Sequence, residues 1–459
     1  MKRTLTMLLA LAMAFGLLAA AAETYEFSTG ATVEIRKDKD GNTLDLGGIE
    51  VIIGDWWSGE PAEPATAAEE ALAEYREWIQ ETYNFKIKQV AVMGWEDNPD
   101  FLANFVTTGG PENYVLIMRP DVLATPMANG FFYDLASLDV FDFTQEKWNK
   151  NSLELMTKGD AVYGMRPIPS EPRDGVWFNK RLLEEAGIDP ESLYDMQRDG
   201  TWTWEAYEDI CKKITRDTDN DGVIDVYATA SQQGSAFNVA LASNGAAFVK
   251  IDENGKYYNA TGEDAFLEAA NWMVEMSKTY EMPQPEGANW DWTFAAFING
   301  DVAMTIHQDY FKSTLAANMK DEYGFVMFPL GPKGDTYKTV YSDFAYVIPA
   351  NYDAERAQKI AYAFDLYSEP TPGYDDPDAW KSSYYNMFSD ARSVDETIEM
   401  MRDAKYGVSF LSDLIPGYEL GPQFYWNTYS RNGWRTVAEQ LEESKNVWQA
   451  ALDAVNNAE

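Results

Sequence analysis

Two residue types on which much enzyme chemistry depends are almost missing: among 459 residues there is one cysteine, Cys211, and one histidine, His307. A lone cysteine excludes an intramolecular disulfide, so the folded chain must rest on the size of its cores. A lone histidine cannot furnish a multi-histidine zinc centre. A Ser-His-Asp or Cys-His arrangement would have to be built around His307, and no nucleophile-elbow motif is present to support it. Glycine-rich phosphate cradles are missing too. Basic residues are scarce, 36 Lys and Arg against 75 Asp and Glu, for a formal net charge of -39. Such a field repels nucleic acid and anionic lipid headgroups, and its simplest use is to keep a secreted protein soluble. Nucleic acid is therefore not expected as a partner.

Apolar residues make up 46% and aromatic residues 14% of the chain, enough to fold despite the charge, and the length favours two domains. At the N-terminus, Lys2 and Arg3 precede an apolar stretch from Leu5 to Leu18 and then Ala20, Ala21 and Ala22, the pattern of a secretory signal over residues 1–22. That run is shorter than the roughly 20 apolar residues a bilayer-spanning helix needs. No cysteine follows it, so lipid anchoring is not expected and the location is read as extracytoplasmic: periplasmic, secreted or associated with the cell surface.

Strand and helix signals then alternate. The apolar run from Ile49 to Gly54 reads as a strand, Thr66 to Thr82 as a helix with Ala68, Leu72, Tyr75 and Ile79 at helical spacing, and Phe85 to Val92 as a strand. Pro99 to Val106 reads as a second helix and Tyr114 to Met118 as a third buried strand, which together predict a mainly parallel sheet covered by helices. Pro167, Pro169 and Pro172 break the pattern and suggest a crossing between lobes, after which Gly175 to Asn179 begins a second strand-helix unit closed by Gly187. Cys211 shares one helical face with Tyr207, Ile210 and Ile214 and reads as a buried structural thiol; His307 is likewise read as structural.

One motif carries cation chemistry. In Asp217-Thr218-Asp219-Asn220-Asp221-Gly222-Val223-Ile224-Asp225, carboxylates occupy positions one, three, five and nine, with glycine at six and the Val223 carbonyl at seven, the layout of a calcium loop. Position twelve is Ala228 where a bidentate glutamate belongs. The expectation is a structural calcium ion on Asp217, Asp219, Asp221, Val223 and Asp225, with a metal-free Asp-rich turn as the alternative.

Several segments in order resemble the extracellular solute-binding proteins of carbohydrate ABC importers, of the maltose-binding type. They are Gly159 to Met165, Val176 to Leu182 with Glu185 to Ile188, Thr203-Trp204-Glu205, Phe297 to Met304 in an F-x-x-G-x-x-A-M pattern, Phe325 to Pro332 and Phe344 to Pro349. The resemblance implies an α/β fold of two hinge-linked lobes with a ligand cleft between them: residues 45–167 plus 332–370 in one lobe, 168–331 plus 371–459 in the other. It also implies a monomer that captures a carbohydrate and delivers it to a membrane permease, with no catalytic residues. Fifteen Trp and 27 Tyr suit that role, since each offers an apolar face and a polar handle to a sugar ring. Trp56 and Trp57 follow the first strand, where ligands of open α/β sheets bind. Tyr310 falls where the resemblance puts an aromatic platform. Arg119, Asp121 and Asp343 are candidates for hydroxyl groups or for salt bridges, and Trp95, Trp290, Trp292 and Trp426 complete the ligand-binding set. The competing reading is a secreted glycoside-active enzyme working through paired carboxylates.

Overall fold

The computed structural model describes residues 23–60, 63–64, 66–171, 174–374, 378–416, 424, 427–428 and 435–457. The proposed signal and Trp426 lie outside the described residues.

The first lobe opens with β1 (Ile49–Asp55), α1 (Ala67–Thr82), β2 (Phe85–Ala91), α2 (Asn98–Thr108) and β3 (Asn113–Met118). Each begins and ends within a few residues of where its periodicity places it. Thr66 starts α1 by a reciprocal cap: its side-chain oxygen accepts from the Glu69 amide at 3.2 Å, and the Glu69 carboxylate accepts from the Thr66 amide at 3.0 Å. The strands β2 and β3 flank β1 in parallel, with Ile53 opposite both Gln89 and Val115.

The second lobe carries β4 (Asp174–Asn179), α3 (Lys180–Glu185), α4 (Trp204–Ile214), β5 (Tyr227–Thr229), α5 (Gln233–Ser243), α6 (Asp264–Tyr280), α7 (Trp292–Asn299), β6 (Val302–Gln308) and β7 (Tyr323–Met327). Here β4 lies antiparallel between β6 and β7, with Val176 opposite Ile306 and Val326, while β5 runs parallel to β6. Gly175 is required by this packing, because a Cβ there would sit 2.5 Å from the Phe325 ring. The chain then returns: β8 (Ala345–Val347) pairs antiparallel with β3, and α8 (Ala354–Tyr367) covers the first sheet. Finally α9 (Val437–Asn456) packs Trp448 and Leu452 into the second lobe.

Each lobe has its own core. Ile53, Val115, Leu116, Leu135, Ile360 and Phe364 centre the first. Trp177, Phe178, Trp202, Phe237 and Met304 centre the second, where Trp177 lies between Phe325 and Phe388 at 4.2 and 5.2 Å between ring centroids. Burial of each such side chain stabilises the fold by about 1.5–3 kcal/mol relative to exposure. Tyr337 and Val340 belong to the second core and Ala345 and Val347 to the first, so the return passes between lobes over 341–344. A further crossing follows α8, because Tyr384 and Phe388 are again in the second core. Residues 24–34, which the sequence pattern left unassigned, form a hairpin whose Tyr25 and Phe27 rings pack on Trp78 of α1 at 5.1 Å each. Among the described residues no helix is long and apolar enough to cross a membrane.

Candidate functional site

The carboxyl end of β1 is shaped by Asp55, a fully buried residue whose side chain accepts from the amides of Trp57 and Ser58 at 3.1 and 2.9 Å and from the Gln89 amide group at 2.7 Å. This turn fixes Trp56 and Trp57 at the sheet edge. Three rings meet Trp56 nearly edge-on: Trp57 at 4.7 Å, Trp95 at 5.0 Å and Phe344 at 5.1 Å between centroids. Edge-to-face pairs of this kind each contribute about 0.5–1.5 kcal/mol beyond simple burial. Trp56 is half-buried beneath its neighbours, whereas Trp57 and Trp95 remain 50% and 46% exposed.

At the end of β3, Arg119 holds this wall in place. Its guanidinium carbon lies 4.1 Å from the Trp95 ring centroid, one nitrogen donates to the Trp95 carbonyl at 3.0 Å, and two others donate to the two carboxylate oxygens of Asp121. The segment Pro120–Val122 lies against Leu411–Leu414, whose flanking Phe410 and Ile415 belong to the second core. The lobes approach each other here. Burial, and then the charge of Asp121, push the Asp413 carboxyl up to about 7.

Asp343 lies on a crossing and is engaged by protein groups. It faces the buried guanidinium of Arg166 at 3.5 Å and accepts from the Ser170 hydroxyl, joining two of the segments that link the lobes. These contacts brace the crossing.

On the second lobe the rings form a chain. Trp290 is 75% exposed and touches Phe294 at 5.6 Å; Phe294 meets His307 at 4.5 Å, and His307 meets Tyr310, which is 39% exposed, at 5.3 Å. His307 itself is fully buried, and burial lowers its pKa to about 4, so it is neutral at ordinary pH. Trp292 opens α7 and packs half-buried against the second core. The structure thus gathers Trp56, Trp57, Trp95, Arg119 and Asp121 on the first lobe and links Trp290 to Tyr310 on the second. Phe344 was missed as a wall residue, although it directly follows Asp343; Phe294, the ring that joins Trp290 to His307, gives no signal beyond helical spacing.

Among known families, the model described as bacterial extracellular solute-binding protein matches residues 56–365. The chain belongs to that family. No curated protein sequence matches this solute-binding protein at a significant level. Solved structures do resemble it. The cyclic alpha-maltosyl-1,6-maltose binding protein from Arthrobacter globiformis superposes with a TM-score of 0.61 at 18% identity, over 89% of this chain and 100% of that one. An ABC substrate-binding protein from Listeria monocytogenes in complex with cycloalternan gives 0.58 at 16%, over 89% and 99%. An ABC transporter solute-binding protein from Thermotoga lettingae bound with alpha-D-tagatose gives 0.55 at 17%, over 88% and 99%. At these identities the likeness shows the fold, two α/β lobes linked by crossing segments.

In the Asp-rich loop of this solute-binding protein, carboxylate oxygens of Asp217, Asp219 and Asp225 lie within 4.8 Å of one another. Gly222 adopts φ +91°, and Asp217 accepts from the Asn220 and Gly222 amides at 2.7 and 2.8 Å. The Asp221 carboxylate accepts from the Val223 amide at 2.8 Å. Ala228, at the twelfth position, is buried within β5.

Proposed function

We propose that this protein captures a carbohydrate, probed first as an oligosaccharide, between its two lobes outside the cytoplasm and delivers it to the permease of an ABC importer. The observation that carries the reading is the aromatic wall of Trp56, Trp57, Trp95 and Phe344, set beside the Arg119–Asp121 pair at the carboxyl ends of β1 and β3. Flat ring faces suit the C–H face of a sugar, and a guanidinium–carboxylate pair supplies donors and acceptors for its hydroxyl rim. The three structural neighbours, with a cyclic maltosyl-maltose, cycloalternan and tagatose as their ligands, support the same ligand class. The working unit is proposed to be a monomer. Closure around solute follows if the closed arrangement binds it better than the open one. The Asp217–Asp225 loop is proposed to hold a structural calcium ion through the three converging carboxylates, with Asp221 and the Val223 carbonyl completing the oxygen set.

The competing reading, a glycoside-active enzyme, needs two carboxylates free to face a sugar in the cleft. Against it, both oxygens of Asp121 are already engaged by Arg119. A single experiment separates the readings. Thermal unfolding is followed against a panel of mono- and oligosaccharides, with calcium and with a chelator, and any stabilising sugar is recovered and analysed. A ligand at about 100 times its dissociation constant adds roughly 2.7 kcal/mol. A stabilising sugar returned intact supports capture, a cleaved one supports the hydrolase, and a chelator without effect on unfolding removes calcium from the account.

A further inference from the structure

Away from the aromatic wall, the segments that cross between the lobes border a cavity of about 780 Å³. None of Trp56, Trp57 and Trp95 of the first lobe, nor Trp290 or Tyr310 of the second, lines it. Its walls come from both lobes: Arg76 and Trp148 from the first, Arg402 beside Met401 of the second core, and Pro167 and Tyr341 from two crossings.

The charge of this wall runs against that of the whole molecule. Lys147 is neutralised by Asp365 and Glu369 at 2.7 and 2.9 Å. Among the described residues, Arg76, Lys150 and Arg402 have no carboxylate within ion-pair distance, while the only lining carboxylate besides Glu369 is Glu146. In a chain of net charge -39, three uncompensated cations around one cavity make a local positive field. Two of them are also held in fixed orientations. The Arg76 guanidinium lies 4.0 Å over the Tyr367 ring with its Nε buried and unbonded, and Arg402 lies 4.3 Å over Trp380. A guanidinium stacked on a ring keeps its N–H edge available for a carboxylate or phosphate fork.

We propose that this hinge-side cavity binds a small organic oxyanion, its charged end between Arg76 and Arg402 and its carbon skeleton against Trp148 and Tyr341, and that occupancy biases the opening of the lobes. A cavity of this volume accommodates a ligand of metabolite size. Because Arg76 and Arg402 belong to different lobes, a ligand that bridges them prefers one spacing over another, which is the condition for coupling to lobe motion.

The test is calorimetry on the purified protein with citrate, glucose 6-phosphate and inorganic phosphate at matched ionic strength, with glucose as the neutral control. The expected result is saturable one-to-one binding of at least one oxyanion, weakened tenfold or more by Arg402→Gln and by Arg76→Gln and less by Arg402→Lys. Lys320→Gln, at an exposed lysine remote from the cavity, leaves it unchanged. Citrate without the phosphates identifies a polycarboxylate site; glucose 6-phosphate with inorganic phosphate identifies a phosphate site. No saturable binding, binding indifferent to both arginine variants, or equal loss in Lys320→Gln each overturns the site. Should Arg76→Gln fail to fold by circular dichroism, Arg402→Gln decides alone. Small-angle scattering with and without the bound oxyanion reads the coupling: a changed radius of gyration is expected, and an unchanged one overturns that half.

Discussion

The two lobes present their aromatic residues in opposite ways. On the first, Trp56 is braced by three rings and the whole group is pinned by Arg119, so the platform exists before any ligand arrives. On the second, Trp290 is 75% exposed and, among the described residues, meets a single ring, Phe294, behind which a buried neutral histidine fills the space. A braced surface binds with little ordering cost. An isolated ring must give up rotamer freedom when it docks. The contrast suggests that solute seats first on the first lobe and that the second lobe closes onto it.

The largest test strikes the brace. Trp56→Ala removes the ring that Trp57, Trp95 and Phe344 all touch, and is expected to cost about 3 kcal/mol in urea unfolding. It should also abolish sugar-induced stabilisation, because the two exposed tryptophans lose their support. A variant that keeps full sugar stabilisation would show the wall to be ordinary packing.

Next in size is an effect of pH on the second lobe. His307 titrates at about 4 when folded and near its ordinary 6.5 when unfolded, so between those values the unfolded chain binds the extra proton. Stability is therefore expected to fall as pH drops from 6.5 towards 4, by about 3 kcal/mol in the limit. His307→Leu should remove that slope whatever its effect on absolute stability. If wild type and variant lose stability in parallel over this range, His307 is not held neutral by its surroundings.

The same contrast shows what sequence could convey. The first sheet was legible because β1, β2 and β3 are short strand-like runs separated by two helices with helical periodicity, and Trp56 and Trp57 stand where an open sheet must present its ligand edge. Wall partners from distant segments were not legible. Trp95 was named from its loop before α2, but nothing in the sequence set it against Trp56, and Phe344, from a return crossing more than 200 residues later, was not named at all; only tertiary packing brings both to Trp56. Asp343 shows the same limit: its place in the sequence gave no sign of the buried Arg166 that it faces across the crossing. Likewise the hairpin over 24–34 has strands too short for periodicity to register, and it holds through Tyr25 and Phe27 against Trp78.

The smallest effect on stability belongs to Trp290, and it sharpens the comparison most. A ring exposed to this degree loses little when truncated, so Trp290→Ala is expected to stay within about 0.5 kcal/mol of wild type in unfolding. Its effect on binding should be larger than that, a loss of about tenfold in sugar affinity, because docking of the ring onto bound solute contributes only in the closed arrangement. Fluorescence titration and stopped-flow separate the components. If the second lobe closes after solute is seated, the association rate stays near that of wild type and dissociation becomes faster. A slowed association with unchanged dissociation would instead make Trp290 part of the first encounter and reverse the order of lobes proposed above.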